Sequence, residues 1–572
     1  MLLTRTTAVL VLLLVSTLSF ADSHVSTERG RAFDTYLTRQ EAYGFSGAVL
    51  VAKYGQVLLC KGYGVADREH DAKVDEHTRF NLASLTKAFT ATLILRLEQD
   101  GVLNRNDTIA TQLPGVPDDK RAITIEQLLT HTSGLPWDAV PRGENLSRDD
   151  VRRRILNAKL ISRPGERFSY SNAGYQLLAL IAETETGRTH GDLLRDFVFS
   201  PAKMKDSGIV ADEEAGTNIA RGYNEWSDLG TWRDWHDGWR HGSGDVVSSV
   251  EDVYRWHTAL RSGELIDAAR VRDMFATHVS ANNESYGYGW FTQRATGGDS
   301  LVAHGGDNKG YHTDLHWFVD RDLLVIVLTN VEIYDESGEG LALHKRIITN
   351  ALSRLARGET VPLPPEPARV RADDLQRYVG VHAIEGGHGA TITIALDRGR
   401  LTASADGQAA INSLLNLDDP GLDACNGKSE VLLRAVAARD TAAVRVTLGR
   451  NAPYFLVYEL EQRGAEEQRS GAFLGADVLG TKPHPWDPEL RRTFARLRFE
   501  RGAIDYQYTW DRDSFYESIS ETGAPHPVIL PLVPVGGDEL VAWDIVALRG
   551  ARLGFTRENG VWRLSSIKPV SL

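Results

Sequence analysis

The chain has 572 residues and a formal net charge of −13. That length exceeds what one hydrophobic core organises and points to several domains, while the acidic balance disfavours a nucleic-acid partner. Hydrophobic residues at 42% and charged residues at 25% are the proportions of a water-soluble globular chain, and no block of like charge marks a tail for RNA or membrane surfaces.

The N-terminus reads MLLTRTTAVLVLLLVSTLSFADS. Arg5 supplies a positive charge, and the apolar stretch Ala8 to Leu18 is shorter than the roughly 20 residues a spanning helix needs. Ser19-Phe20-Ala21 places small residues where a signal peptidase reads them, which predicts cleavage after Ala21. An uncleaved N-terminal anchor is the alternative. No later segment has the run of apolar residues of a membrane span, so the expectation is a periplasmic or secreted protein without a stable span after cleavage. The two cysteines, Cys60 and Cys425, lie far apart and outside any CxxC pattern. Cys60, in the strand-like run Val57-Leu58-Leu59-Cys60, reads as a core residue; whether it pairs with Cys425 stays open.

Two short apolar runs, Gly47 to Ala52 and Val57 to Cys60, flank Tyr54-Gly55 and predict a β-hairpin. Ser84 to Gln99 carries apolar residues at helical spacing (Leu85, Phe89, Ile94, Leu97), and Gly101 ends it. Leu323 to Leu328 reads as a buried strand, followed by a helix through Leu343 to Leu355. The proline cluster at 362–367 sustains neither helix nor central strand and marks a linker. Beyond it, Thr391 to Ala405 alternates across Asp397-Arg398-Gly399-Arg400 as a hairpin. Residues 430–438 look helical, and the chain from about 451 is β-rich. The expected organisation is a signal peptide (1–21), a catalytic domain (22–361), a linker (362–368), an accessory β/α region (369–450) and a C-terminal β-rich region (451–572).

A serine hydroxyl needs a base within hydrogen-bond reach to act as a nucleophile at neutral pH. Ser84-Leu85-Thr86-Lys87 puts a hydroxyl and an amine on one helix face, with Cβ atoms about 5–6 Å apart. The free N–H groups at a helix start suit an oxyanion held there, and burial would push the lysine towards its neutral form. Taken alone, the same pattern also describes an N-cap serine with a solvated lysine. It recurs at Ser200-Pro201-Ala202-Lys203 and Ser565-Ser566-Ile567-Lys568, neither of which leads a long apolar helix. Tyr170-Ser171-Asn172, ahead of the apolar segment Ala173 to Leu178, offers a phenol for proton relay and an amide for a substrate carbonyl or the lysine. His304-Gly305-Gly306 follows Leu301-Val302-Ala303 and reads as a strand end whose glycines admit a substrate backbone. His236-Asp237-Gly238 repeats that pattern in a polar loop. With 17 histidines the chain contains no HExxH pattern, so no metal and no cofactor are expected.

The ordered set Ser84-x-x-Lys87, Tyr170-x-Asn172 and His304-x-Gly306 resembles the serine β-lactamase and penicillin-binding protein superfamily, most closely its class C-like branch, across roughly residues 30–355. Phe80-Asn81-Leu82-Ala83 before the serine, the turn Leu128 to Pro136, and Tyr286-Gly287-Tyr288-Gly289-Trp290 are similar to the family's surrounding text. The resemblance implies an α/β (α+β) β-lactamase-like catalytic domain, an antiparallel sheet flanked by helices, followed by a smaller β-rich α+β accessory region. It implies that Ser84 is acylated, that Lys87 and Tyr170 share acid and base duty, and that Asn172, His304 and Gly306 meet substrate. The backbone N–H groups of Ser84 and Asp307 would form the oxyanion hole. His131 has no family catalytic role and reads as a structural turn histidine. His304 stands where typical β-lactamases have lysine, which weakens the case for a dedicated β-lactamase and resembles DD-peptidases and D-aminopeptidases. The expectation is a serine hydrolase of small-molecule or peptide substrates, ranked as a peptidase or amidase on D-amino-acid or peptidoglycan-like peptides, then an esterase, then a β-lactamase. A penicillin-binding sensor that acylates with little turnover is the rival from another class. Loops 137–150 and 224–245, the latter with Trp226, Trp232, Trp235 and Trp239, are expected to shape the cleft or cover the domain. The oligomeric state is not readable.

Overall fold

A computed structural model describes residues 24–25, 27–140, 146–210, 218–224, 228–231, 240–281, 284–295, 298–334, 340–341, 343–384, 389–397, 399–448, 466–483, 490–511, 516–521, 529–544 and 549–570. The N-terminal apolar stretch and the four tryptophans of loop 224–245 lie outside these residues.

The N-terminal part of the chain is built on nine antiparallel strands: β1 (His24–Val25), β2 (Gly47–Lys53), β3 (Gln56–Tyr63), β4 (Val279–Ala281), β5 (Glu284–Tyr286), β6 (Phe291–Arg294), β7 (Ser300–Asn308), β8 (Tyr311–Phe318) and β9 (Leu323–Thr329). Their order across the sheet is β1-β3-β2-β9-β8-β7-β6-β5-β4. The expected hairpin β2–β3 turns at Tyr54 and Gly55, whose φ values of 51° and 72° are left-handed. β9 is buried at every position because both sheet faces are covered. Val49, Val51, Val325 and Val327 point to one side, where they pack with Phe33 and Leu37 of helix α1 (Glu28–Ala42) and with Ile348 and Leu352 of a helix at Leu343–Ala356. Leu50 and Ile326 alternate to the other side, into the larger core.

At the centre of that larger core runs α2 (Thr86–Gln99), in which every residue from Thr86 to Leu95 is buried. A helix apolar on nearly all sides is an interior helix. Phe89 of α2 stacks on Trp256 at 3.8 Å between centroids, and Trp256 stacks on Trp290 at 5.6 Å. Beside it runs α3 (Asn172–Thr186), capped at its start by Ser171, whose hydroxyl accepts from Gly174 N–H at 3.1 Å, and ended by Gly187 in the left-handed region. Trp256 lies on α4 (Val250–Ser262), and α5 (Leu343–Ala356) is the helix on the opposite face.

The segment expected as a linker is neither helix nor strand and is tied to the end of α1: Arg39 donates to Pro364 O at 3.0 Å and Tyr43 Oη to Pro365 O at 3.2 Å. Beyond it, the structure divides the chain differently from the expected boundary at 450. A seven-stranded sheet joins β10 (Gly380–Ala383), β11 (Thr391–Asp397) and β12 (Arg400–Asp406) to β17 (Ile529–Gly536), β18 (Glu539–Asp544), β19 (Arg549–Glu558) and β20 (Val561–Val570). Between β12 and β17 the chain forms helices α6 (Gln408–Leu415), α7 (Gly421–Ala437) and α8 (Thr441–Leu448) and the four-stranded sheet β13 (Phe473–Pro483), β14 (Arg491–Phe499), β15 (Gly502–Trp510) and β16 (Tyr516–Glu521). Local alternation identifies strands but not partners more than a hundred residues away, which is why the division was hidden. Cys60 and Cys425 are buried in separate cores and are not bonded to each other. Among the described residues no helix is long and apolar enough to cross a membrane.

Trp256→Ala should remove the centre of the aromatic stack under α2 and destabilise the catalytic domain by about 3–5 kcal/mol. Urea unfolding followed by circular dichroism checks this; an unchanged midpoint would show that the stack carries no packing energy.

Candidate active site

Ser84 lies in the 3₁₀ turn Ala83–Leu85 that opens α2, so Lys87 follows one turn later on the same face. Ala83, just before it, has φ 46°, a left-handed conformation that is strained for alanine. Its N–H donates to Asn81 Oδ1 at 3.0 Å, and Asn308 Nδ2 of β7 donates to the same oxygen at 3.2 Å. Asn81 thus fixes the turn that presents the serine.

Lys87 Nζ is fully buried and meets three oxygens from three segments: Asn172 Oδ1 at 2.7 Å, Ser243 O at 2.8 Å and Ser84 Oγ at 3.1 Å. Burial, the largest influence, holds its pKa well below that of an ordinary lysine. A neutral amine has two N–H groups and one lone pair. The two shorter contacts consume the N–H groups, which leaves the lone pair for the Ser84 hydroxyl. Asn172 is oriented by its other end, since Nδ2 donates to Asp138 Oδ1 at 2.8 Å.

The Tyr170 phenol is hydrogen-bonded to Ser84, and burial pushes its pKa above the usual tyrosine range, so it stays protonated. His131 lies beneath it, with ring centroids 4.3 Å apart. Its Nδ1 accepts from Ser171 N–H at 3.0 Å and thereby positions the start of α3. That contact gives the turn histidine a definite job: it anchors the Tyr170-Ser171-Asn172 segment.

The third motif sits inside β7, which continues to Asn308, rather than at a strand end. A Cβ on Gly306 would collide with Leu82 O and lie 2.7 Å from Ser84 N, so only glycine lets the strand reach the nucleophile. Asp307 is the next register position, paired with His312 across the ladder. The His304 ring is buried. Its Nδ1 must donate to Gly305 O at 2.6 Å, and its Nε2 then accepts from Tyr286 Oη at 3.1 Å. Both nitrogens are occupied, by Gly305 O and Tyr286 Oη, and these contacts fix the orientation of the ring. Burial first, and Lys87 second, pull its pKa down to about 3, and the ring is neutral at physiological pH.

Four further residues contribute that motif reading missed. Asp138 lies in loop 137–150, beside Trp137, which is 57% exposed and 4.9 Å from the Tyr170 ring. Ser243 contributes only a carbonyl, which carries no side-chain signal. Lys345 on α5 donates to Gly306 O at 2.9 Å and pairs with Asp307 at 2.7 Å. Asn81 was quoted only as flanking text. Asp307 is half-exposed; although desolvation opposes its ionisation, Lys345 and His312 hold it below the usual carboxylate range. Ser200 is an exposed helix-end residue, and Ser565 Oγ donates to Gly554 O within the tail sheet, so neither joins this cluster.

Residues 32–350 match the family model described as Beta-lactamase. The chain belongs to the β-lactamase family. It is a serine hydrolase of that family, with the β-lactamase-like fold followed by a β-rich region. Penicillin-binding protein 4* of Bacillus subtilis is 28% identical over 467 residues, covering 75% of this chain and 96% of that protein. Protein flp of Staphylococcus aureus strain MW2 is 29% identical over 324 residues, covering 53% of this chain and 64% of that protein. Among solved structures, D-amino acid amidase from Ochrobactrum anthropi SV3 complexed with D-phenylalanine superposes with TM-score 0.52 at 22% identity, over 58% of this chain and all of the other. The octameric penicillin-binding protein homologue from Pyrococcus abyssi superposes with TM-score 0.51 at 17% identity, over 88% of this chain and 98% of the other. The last two establish likeness of fold.

Gly306→Ala should displace either β7 or the Ser84 turn and slow acylation of Ser84 on the order of 100-fold, the cost of an ångström-scale misplacement. Stopped-flow labelling with a serine-reactive probe measures this, and an unaltered rate would mean the strand does not abut the nucleophile. The acylation rate should rise with pH along one limb whose midpoint lies well below 10.5, the ordinary lysine value, because protonation of Lys87 removes the lone pair. A midpoint at the ordinary lysine value would show that the amine is solvated.

Proposed function

We propose that this chain is an exported serine amidase or peptidase, with Ser84 acylated by D-amino-acid or peptidoglycan-like peptide substrates. The observation that carries the substrate class is the charge around the third motif. A neutral, sealed His304 stands there, followed by the ionised Asp307, and the carboxylates of Asp307 and Asp138 both act on Tyr170. With no cation offered by His304 and the Asp138 carboxylate beside Asn172 and Tyr170, the cleft favours a substrate with a free α-ammonium over one ending in a carboxylate. The exposed Trp137 beside Tyr170 adds an apolar face for the residue carrying that amine.

In this reading Ser84 Oγ attacks the amide carbon while the Lys87 lone pair takes its proton. The backbone N–H groups of Ser84 and Asp307 hold the oxyanion. The protonated Tyr170 passes its proton to the leaving nitrogen and is reprotonated from Lys87. Water then attacks the ester on the same path in reverse. Export is proposed from the N-terminal pattern of Arg5, the apolar stretch and Ala21; N-terminal sequencing of the secreted protein tests it, with residue 22 expected first.

The substrate assay compares D-phenylalanine amide, its L enantiomer, N-acetyl-D-phenylalanine amide, an acyl-D-Ala-D-Ala peptide, a p-nitrophenyl ester and a chromogenic cephalosporin. The free D-amide should give the highest kcat/KM, N-acetylation should lower it at least tenfold, and Ser84→Ala should abolish it. Preference for acyl-D-Ala-D-Ala would overturn the amine-recognition reading. A stable penicillin adduct on Ser84 without turnover of any substrate would make the protein a sensor instead.

A further inference from the structure

Behind the active-site lysine lies a second group of buried polar side chains. His190 opens the short helix His190–Leu194, and His241 and Asp245 lie four residues apart on the segment that supplies Ser243 O. One ligand-type atom from each falls within 4.8 Å of the others. His241 Nδ1 is 2.9 Å and His190 Nδ1 3.7 Å from Asp245 Oδ2. The three side chains are 13%, 0% and 3% exposed in the order His241, His190, Asp245. None of these three atoms has a hydrogen bond of acceptable geometry, although all are buried. Orphaned buried polar atoms are costly, and three converging on one point need a common partner.

The surrounding hydrogen bonds identify its charge. Thr90 Oγ1 gives its single proton to Gly242 O at 2.8 Å, so towards His190 Nε2 at 3.5 Å it can only accept. Nε2 therefore carries the proton, and in the neutral ring Nδ1 is a bare lone pair. That lone pair faces Asp245 Oδ2, whose companion Oδ1 is already taken by Gly242 N–H at 3.0 Å. Two acceptors, His190 Nδ1 and Asp245 Oδ2, thus face each other with His241 Nδ1 beside them, and a cation shared by the three would remove the repulsion. An outer partner fixing the tautomer of a histidine is also the usual setting of a metal ligand.

We propose that His190 Nδ1, His241 Nδ1 and Asp245 Oδ2 bind one divalent transition-metal ion of the zinc class, as a structural clamp behind the catalytic lysine. Two imidazoles and one carboxylate suit zinc, whereas calcium and magnesium take oxygen ligands. Bonds of about 2.0–2.1 Å at tetrahedral angles place ligand atoms roughly 3.3 Å apart, between the 2.9 and 3.7 Å separations present. A water on the partly open His241 side completes four-coordination. The clamp matters because the same segment braces the nucleophile: Ser243 O accepts from Lys87, Gly244 O from Asn81 Nδ2 at 3.3 Å, and Val246 N donates to Thr86 Oγ1 at 3.0 Å. Metal binding ties that segment to the helix at 190 and so steadies Lys87 through a carbonyl.

The test uses tag-free full-length protein stripped with a chelator and titrated with zinc chloride. Elemental analysis and calorimetry should find one zinc per chain, the thermal midpoint should rise with zinc, and cobalt(II) should give the visible absorption of a nitrogen–oxygen tetrahedral site. His241→Ala and, separately, Asp245→Asn should abolish all three responses, while the surface variant His70→Ala keeps them. Ser84→Ala should bind zinc like the parent, which separates this site from the catalytic chemistry. Absence of stoichiometric zinc, or binding that survives both substitutions, overturns the proposal. So does a nuclear magnetic resonance titration showing a His190 imidazolium in the zinc-exposed protein, because a proton would then hold the cluster together.

Discussion

A primary amine without exposed surface, held by two acceptors and offered a hydroxyl, is the interaction on which this site depends. Lys87 draws its neighbours from positions 85 and 156 residues away as well as from its own helix. The two long-range contacts do not exist until α2, α3 and the segment around Ser243 are packed together. Burial disfavours the ammonium, and the same burial requires that every remaining valence of the amine be met. Asn172 and Ser243 meet two of them, and the reacting serine is the third. The base is thus made by packing, not by a neighbouring charge.

The remaining architecture sets where that amine and its serine lie. The sheet carries β7 against the nucleophile turn, where glycine alone fits, and Thr313 Oγ1 on β8 donates to Leu82 O at 2.9 Å to hold the two together. Lys345, from a helix on the opposite face, reaches the Gly306 carbonyl and so connects the outer layer to the reacting centre. Backbone strain at Ala83 persists because Asn81 and Asn308 over-determine that turn.

Much of this was legible in the sequence because the chemistry is local. Ser84 and Lys87 are three residues apart, Tyr170 and Asn172 two, and His304 and Gly306 two, so each pair fits within one turn or one strand. The hairpin at Tyr54-Gly55 and the buried strand β9 were visible from alternation and turn residues. What escaped were contributions without a local pattern. Ser243 acts through its carbonyl, Lys345 through a helix that no motif marks, and His304 points its ring nitrogens inward, which strand periodicity alone does not reveal. The tail division escaped for the same reason, since β12 and β17 are neighbours in space but lie on either side of a large insertion. His190 and Asp245 come together only through tertiary packing, so no spacing rule could join them.

That insertion bears on how the chain assembles as it is made. Leu401 on β12 pairs with Leu532 on β17, so the seven-stranded sheet cannot close until nearly the whole chain has emerged. Closing so long a loop from a disordered chain is slow and entropically costly. The α7–α8 and β13–β16 unit has its own core, in which Leu432, Tyr508 and Trp510 are buried, whereas α6 packs into the core of the seven-stranded sheet. If it forms first, it shortens the flexible chain that separates β12 from β17 and so lowers the entropic cost of pairing them. The inserted unit then serves as an internal staple for its host sheet during biosynthesis.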